Sequence, residues 1–347
     1  MKKESGKAAE NRMKKIKIKS TAVVTFLLLL FIFQIAVNAE GRQLLAGGTP
    51  FGVRLFTEGV TVVGLKGEHG APSPAEAAGL RIGDRLLSID GTSVTGVGDL
   101  ARAVEHSGGK PLTVTVRRKG EEHSFKVTPE KCDGGYRIGV YLRDSMAGIG
   151  TLTYVDPKTG EFGGLGHGIG DPETGTPVEM TRGAVLNAKI REIVRGRAGT
   201  PGELCGTLGT DKCGTLLKNN ECGVFGILTV RDGAGKLYPV GTRAELHVGE
   251  ATLLTTLDGD TPGEYRIRIA DIHRDRTTKC FTVKVEDDRL LQKSGGIVQG
   301  MSGSPIIQDG KLVGALTHVL VANPTAGYGI FIENMLSAAE MPMAKAS

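Results

Sequence analysis

Fifty-two of the 347 residues are glycine, scattered among short runs of Val, Ile, Leu and Thr. Glycine weakens the interior of a helix or strand by about 0.5–1 kcal/mol and is at home in tight turns. The spacing therefore predicts short strands joined by turns rather than long helices. From about residue 136 such pieces follow one another closely, at 138–142, 149–155, 224–230, 237–240, 251–256, 265–272 and 281–285. They lack the strand–helix alternation of a parallel sheet. A mostly β chain closing into a barrel or a pair of barrels is the expectation.

The N-terminus reads differently. Residues 1–20 form a basic tail, with eight Lys and Arg against Glu4 and Glu10, and this tail holds more than the whole net charge of +5. Residues 21–37 follow as an uncharged apolar run interrupted only by Gln34. That length suits a short membrane-spanning helix or a long signal-peptide core. The positive flank predicts an inside N-terminus and an exported body. Val37-Asn38-Ala39 has the small-x-small form of a cleavage site. We read 21–39 as a signal anchor, with a cleaved signal peptide as the alternative, and residues 21–37 as the membrane contact. The body has no excess of positive charge to drive nucleic-acid binding. Five cysteines are an odd number for an exported chain, and Cys205, Cys213 and Cys222 do not have zinc-site spacing. No metal or other cofactor is expected.

The stretch 73–91 is the most specific local pattern. Ser73 is placed to cap a short helix begun by Pro74, and Gly79 to end it. Gly83-Asp84 makes the next turn, Leu86, Leu87 and Ile89 enter a core, and Asp90-Gly91 is a hairpin turn. A second helix is expected over 97–105 and a closing strand with its turn over 112–120. Residues 48–128 resemble the PDZ domains of bacterial envelope proteases. Such domains bind a peptide by adding it as a strand beside a helix. The corresponding groove here would use Phe51, Gly52 and Val53, with Leu100 and Val104 on the facing helix or in the domain's own core. The familiar Gly-Leu-Gly-Phe loop is absent, which leaves internal or intramolecular peptides open as ligands.

Gly300-Met301-Ser302-Gly303-Ser304-Pro305 reads as the nucleophile turn of a serine peptidase. A catalytic serine needs a tight turn whose N–H groups face a developing oxyanion. The N–H groups of Gly300 and Ser302 would form that hole. A strand, a turn at Asp309-Gly310 and a second strand follow, the context a chymotrypsin-like barrel supplies. The serine also needs a base. Among seven histidines, His167 stands in the most distinctive surroundings, the glycine-dense loop 163–170. A two-barrel peptidase takes its base from the first barrel and its nucleophile from the second, so a long separation is required.

Gly-Leu-Gly-His-Gly around His167, the run from Gly295 to Ile307, and Thr317-His318-Val319, in a chain that opens with an export segment and a PDZ-like module, resemble the SpoIVB peptidase family of endospore-forming bacteria. The resemblance runs from residue 48 to about 340. It implies a chymotrypsin-like double β-barrel peptidase domain over 136–340, with Ser302 as nucleophile, His167 as base and Asp287 as acid. Asp171 is a rival for the acid, as is a Ser–His pair oriented by another group, whereas adjacent Asp288 would face the other way on an alternating strand. The resemblance also implies export across the forespore membrane into the space between two membranes. There the enzyme would cleave itself and a membrane-bound regulator of an intramembrane protease, which then processes a late mother-cell sigma-factor precursor. The chain's own N-terminal segment is a candidate ligand for the PDZ groove or the active site. His318 borders the expected substrate pocket. An HtrA-like quality-control protease and a non-enzymatic PDZ scaffold are the alternatives; the module order disfavours the first and the intact Ser302 and His167 loops the second.

Overall fold

Two long strands organise the first half of the molecule. After β1 (Gln43–Ala46), β2 (Pro50–Leu65) runs antiparallel to β9 (Val140–Val155), from Pro50 opposite Thr151 to Leu65 opposite Val140. The computed structural model describes residues 41–67, 70–170, 175, 177–229 and 235–340. The basic tail and the apolar run 21–37 lie outside the described residues, as does Asp171. Among the described residues no helix is long and apolar enough to cross a membrane.

Between β2 and β9 the chain builds a small module. It comprises α1 (Pro74–Ala77), β3 (Arg85–Ile89), β4 (Thr92–Ser93), α2 (Val97–His106), β5 (Leu112–Arg118), β6 (Glu121–Val127), β7 (Glu130–Cys132) and β8 (Gly135–Arg137). Its turns follow the sequence. Ser73 caps α1, its Oγ accepting from the Glu76 N–H at 3.2 Å, and Gly79 takes a φ of 104° just past the helix. Asp90 and Gly91 both have positive φ, as a two-residue hairpin turn requires. Asp84 is buried and holds Arg118 through two bonds of 2.6 Å. Val60, Leu86, Leu100, Val104, Val114 and Val116 share one core.

Beyond this module β9 pairs with β10 (Glu161–Gly164), then the order runs through β13 (Gly223–Leu228), β12 (Glu203–Asn220) and β11 (Arg182–Val194) back to β2. The β2–β9 pairing closes this ring into a six-stranded barrel. Phe51, Val53, Leu55, Phe162, Val185 and Leu216 fill it. β14 (Leu237–Pro239) lies beside β1 at the sheet edge. A second closed barrel follows, made of β15 (Gly249–Thr255), β16 (Gly263–Ile272), β17 (Phe281–Val285), β18 (Pro305–Gln308), β19 (Lys311–Leu320) and β20 (Asn323–Phe331). α3 (Asp288–Ser294) leads from β17 towards Ser302, and α4 (Ile332–Glu340) packs on β19 and β20.

The sequence placed Phe51, Gly52 and Val53 at an open groove edge. The structure corrects this. Val53 stands opposite Gly148 on one side and Val185 on the other, so the strand is paired along both edges inside the first barrel. The barrel needed a strand to close it, and residues 50–56 serve that purpose. The groove of the small module lies elsewhere, between α2 and Ile138–Leu142. Leu100 and Val104 line it from the helix while also packing into the core.

A proline at position 53 removes a donor from a doubly paired strand. Val53→Pro is expected to cost the full chain about 3 kcal/mol or more, since an orphaned buried acceptor alone costs ~1–3 kcal/mol. A urea-unfolding midpoint within error of the parent protein would contradict this placement of β2.

Candidate active site

The turn carrying Ser302 is held by its carbonyls. Gln299 O accepts from Leu204 N–H at 2.8 Å, Gly300 O from Thr151 Oγ1 at 2.8 Å, and Met301 O from Ser304 N–H and Oγ at 3.0 and 2.7 Å. Ser302 O accepts from Thr151 N–H at 3.0 Å and Gly303 O from Thr153 Oγ1 at 2.7 Å. A trans peptide points its C=O and N–H in opposite directions. Anchoring Gln299 O and Met301 O therefore fixes the N–H groups of Gly300 and Ser302. Those two take no acceptor among the described residues, whereas Met301, Gly303 and Ser304 N–H groups are spent on Val298, Leu316 and Met301 carbonyls. This is the arrangement an oxyanion hole needs. Gly303, at φ 96°, is obligatory: a Cβ there would come within 2.0 Å of Thr151 O.

Thr151, on β9, also reaches the histidine loop, because its carbonyl accepts from Leu165 N–H at 3.2 Å. One buried residue thus braces both halves of the site. Leu165 itself has a φ of 65°, a left-handed conformation two residues before His167. Beyond the histidine, the Asn219 side chain of β12 accepts from Ile169 N–H and donates to the carbonyls of Ile169 and Val178, each at 2.8–2.9 Å.

His167, Ser302, Thr317 and His318 face one cleft of about 510 Å³, whose walls include Ala147, Gly148 and Ile149 of β9 and Val298, Gln299 and Gly300. His167 Nδ1 lies 2.9 Å from Gly168 O. A carbonyl can only accept, so the proton sits on Nδ1 and Nε2 is the basic nitrogen. Burial pushes the His167 pKa below the usual histidine range; Lys279 adds to this and the Gly168 bond opposes it. His318 packs on His167 with ring centroids 4.6 Å apart. Burial, then the neighbouring His167 and Lys279, pull its pKa to about 4. The Ser302 hydroxyl donates to Thr317 O at 2.5 Å.

Asp287 is not brought to this cleft. It caps α3, and both carboxylate oxygens are taken: Oδ1 by the N–H and Nε of Arg289, Oδ2 by Arg266 N–H and Arg289 Nη2, at 2.9–3.2 Å. Arg289 first, helped by the two backbone bonds, holds its pKa well below the usual carboxylate range against a desolvation penalty. Asp287, predicted as the acid for His167, is therefore a helix cap and ion-pair partner, and among the described residues the bond to the imidazole comes from the Gly168 carbonyl. Neighbouring Asp288 lies in the first turn of the same helix. Thr151, Thr153, Leu204 and Asn219 carry no local signal of their place at the site, because their contacts to the Ser302 turn and to the loop after His167 span 50 to 151 residues of chain. Among the described residues no three His, Cys, Asp or Glu side chains converge as metal ligands would.

Two six-stranded barrels, a serine on a braced turn and a histidine facing it across a cleft define a serine peptidase joined to a PDZ module. Family models place it further. The one described as SpoIVB peptidase S55 matches residues 134–336, and a PDZ-domain model matches residues 70–118. The chain belongs to the SpoIVB peptidase S55 family. Shorter similarities exist elsewhere. "Putative zinc metalloprotease LL2128" of Lactococcus lactis is 37% identical over 68 residues, which is 20% of this chain and 16% of that protein. The mouse 26S proteasome non-ATPase regulatory subunit 9 is 37% identical over 70 residues, 19% of this chain and 32% of that one. The chain thus spans a third or less of the length of these curated relatives. Among solved structures, the active form of the Rv3671c protease from M. tuberculosis is similar at 13% identity and a TM-score of 0.34, over 58% of this chain and 78% of that one.

Protonated His167 cannot accept a proton, so kcat/KM should fall as pH drops through its pKa, and the lowered value puts that fall below about 6.5. Lys279→Gln removes a repelling charge and should move the acid limb upward; an unmoved limb would show that Lys279 does not act on the base. Asp287→Asn should lower stability by about 1 kcal/mol, through the lost ion pair, and change kcat less than tenfold. A loss near 10⁴ would return Asp287 to the triad.

Proposed function

We propose that the chain is an exported serine endopeptidase of sporulation signalling, with Ser302 as nucleophile and His167 as general base. The observation that carries the catalytic reading is the pair of unspent N–H groups at Gly300 and Ser302, beside a serine and a neutral, half-buried imidazole. In the reaction, Ser302 Oγ releases Thr317 O and passes its proton to Nε2 of His167 while attacking the substrate carbonyl. The oxygen of that carbonyl gains charge and moves between the two N–H groups. His167 then returns the proton to the leaving amine.

Family membership and the uncharged run 21–37 behind a basic tail support the cellular reading. On it, the body lies outside the cytoplasm, in the space between the membranes around the forming spore. It cuts itself and a membrane-bound regulator of an intramembrane protease, and so releases processing of a late sigma-factor precursor. The groove between α2 and Ile138–Leu142 takes an extended segment of the target, or of the chain's own N-terminus, by strand addition. The β9 residues there pair with β2 on one side and face α2 on the other, with Val97 and Tyr141 exposed at its lip.

Treatment with a fluorophosphonate should label Ser302, and Ser302→Ala should abolish both labelling and cleavage. His167→Ala should lose nearly as much, because members of a catalytic unit are not additive. Labelled protein that degrades unfolded casein freely would favour a quality-control protease instead. Absence of labelling at any pH would favour a scaffold. Val97→Arg with Tyr141→Glu, both at the groove's lip, should leave labelling within twofold and reduce target cleavage in sporulating cells at least tenfold. Normal target cleavage would remove the groove from substrate delivery.

A further inference from the structure

Ser304 looks dispensable in the sequence, two residues beyond the nucleophile and followed by proline. Its surroundings say otherwise. The residue has no exposed surface, and its Oγ donates to Met301 O at 2.7 Å while its own N–H donates to the same oxygen at 3.0 Å. Its carbonyl accepts from Leu316 N–H at 2.9 Å, which ties it to β19. Met301 O belongs to the peptide unit whose other end is the Ser302 N–H. Two donors on one carbonyl leave that rigid plane little freedom to rotate. The remaining oxyanion donor, Gly300 N–H, has only a single bond behind it, from Leu204 N–H to Gln299 O.

We propose that Ser304 is a positioning residue of the oxyanion hole: its hydroxyl clamps Met301 O and thereby aims the Ser302 N–H at the developing oxyanion. This rests on the reading of Gly300 and Ser302 N–H as that hole. The clamp acts only on the transition state, since the ground-state carbonyl needs little from the hole. It does not touch His167, so it does not alter the base.

The test uses the full chain and a fluorophosphonate, whose phosphoryl oxygen occupies the oxyanion position as Ser302 Oγ bonds to phosphorus and fluoride departs. Ser304→Ala should lower the inactivation rate and kcat together by about tenfold, with KM within twofold and the acid limb of the pH profile in place. That is less than the ~100- to 1000-fold lost when an oxyanion donor itself is removed, because the Ser304 N–H still holds Met301 O. Ser304→Cys, which keeps a weak donor, should recover part of the loss. Ser294→Ala is the comparison for a purely structural hydroxyl: Ser294 is equally buried, its Oγ lies 2.9 Å from Leu290 O in α3 and 2.5 Å from Gly296 O just past it, and the substitution should lower the thermal midpoint without slowing inactivation. Ser304→Ala reacting at the parental rate would overturn the proposal, and so would a slowing matched by Ser294→Ala at equal loss of stability. A parent protein that the probe never labels would instead overturn the catalytic reading of Ser302.

Discussion

Five consecutive carbonyls, from Gln299 to Gly303, are each fixed by a donor from elsewhere in the fold or from the turn itself. Everything else about the site follows from that constraint. A tight turn left to itself samples several peptide orientations, and an oxyanion hole works only if its dipoles are already aimed before charge develops. Three of the five anchors come from Thr151 and Thr153 on β9, one from Leu204 on β12, and one from within the turn. The first barrel therefore shapes a turn that belongs to the second. Neither barrel alone contains a site.

The histidine is handled by different means. Its loop is braced by Thr151 O, by Asn219 and by a left-handed Leu165, and its charge state is set by burial and by the nearby Lys279. His318, its ring tilted 33° against that of His167, is itself held neutral at ordinary pH. Two adjacent neutral rings make a base that is ready to accept a proton, and among the described residues no carboxylate bonds to it. The acid that the sequence suggested is instead committed to Arg289, where it fixes the start of α3 and so the approach of the chain to Ser302.

Much of the molecule was legible in the sequence because its signals are local. Glycine spacing foretold β structure, and Ser73-Pro74, Gly79 and Asp90-Gly91 carry their capping and turn roles in their own backbone preferences. Ser302 and His167 stood out for the same reason. What could not be read was long-range pairing. Residues 50–56 look like any strand, and nothing in them reveals that they close a barrel against residues 145–151 and 182–187. Asp287 illustrates the same limit from the other side. The family resemblance made Asp287 the acid, while its true neighbours, Arg266 and Arg289, become apparent only once β16 lies beside β17 and α3.

The path of β2 and β9 has a topological consequence. Both strands begin or end in the PDZ module and continue without a break into the first barrel, so the module is an insertion within the peptidase and not a bead strung before it. A fragment beginning at residue 134, where the family match starts, would possess β9 but not β2, and its first barrel would stand open between β9 and β11. Conversely, a proteolytic nick in a loop of the module would leave both strands hydrogen-bonded in the barrel wall. Such a cut would divide the polypeptide without dividing the enzyme.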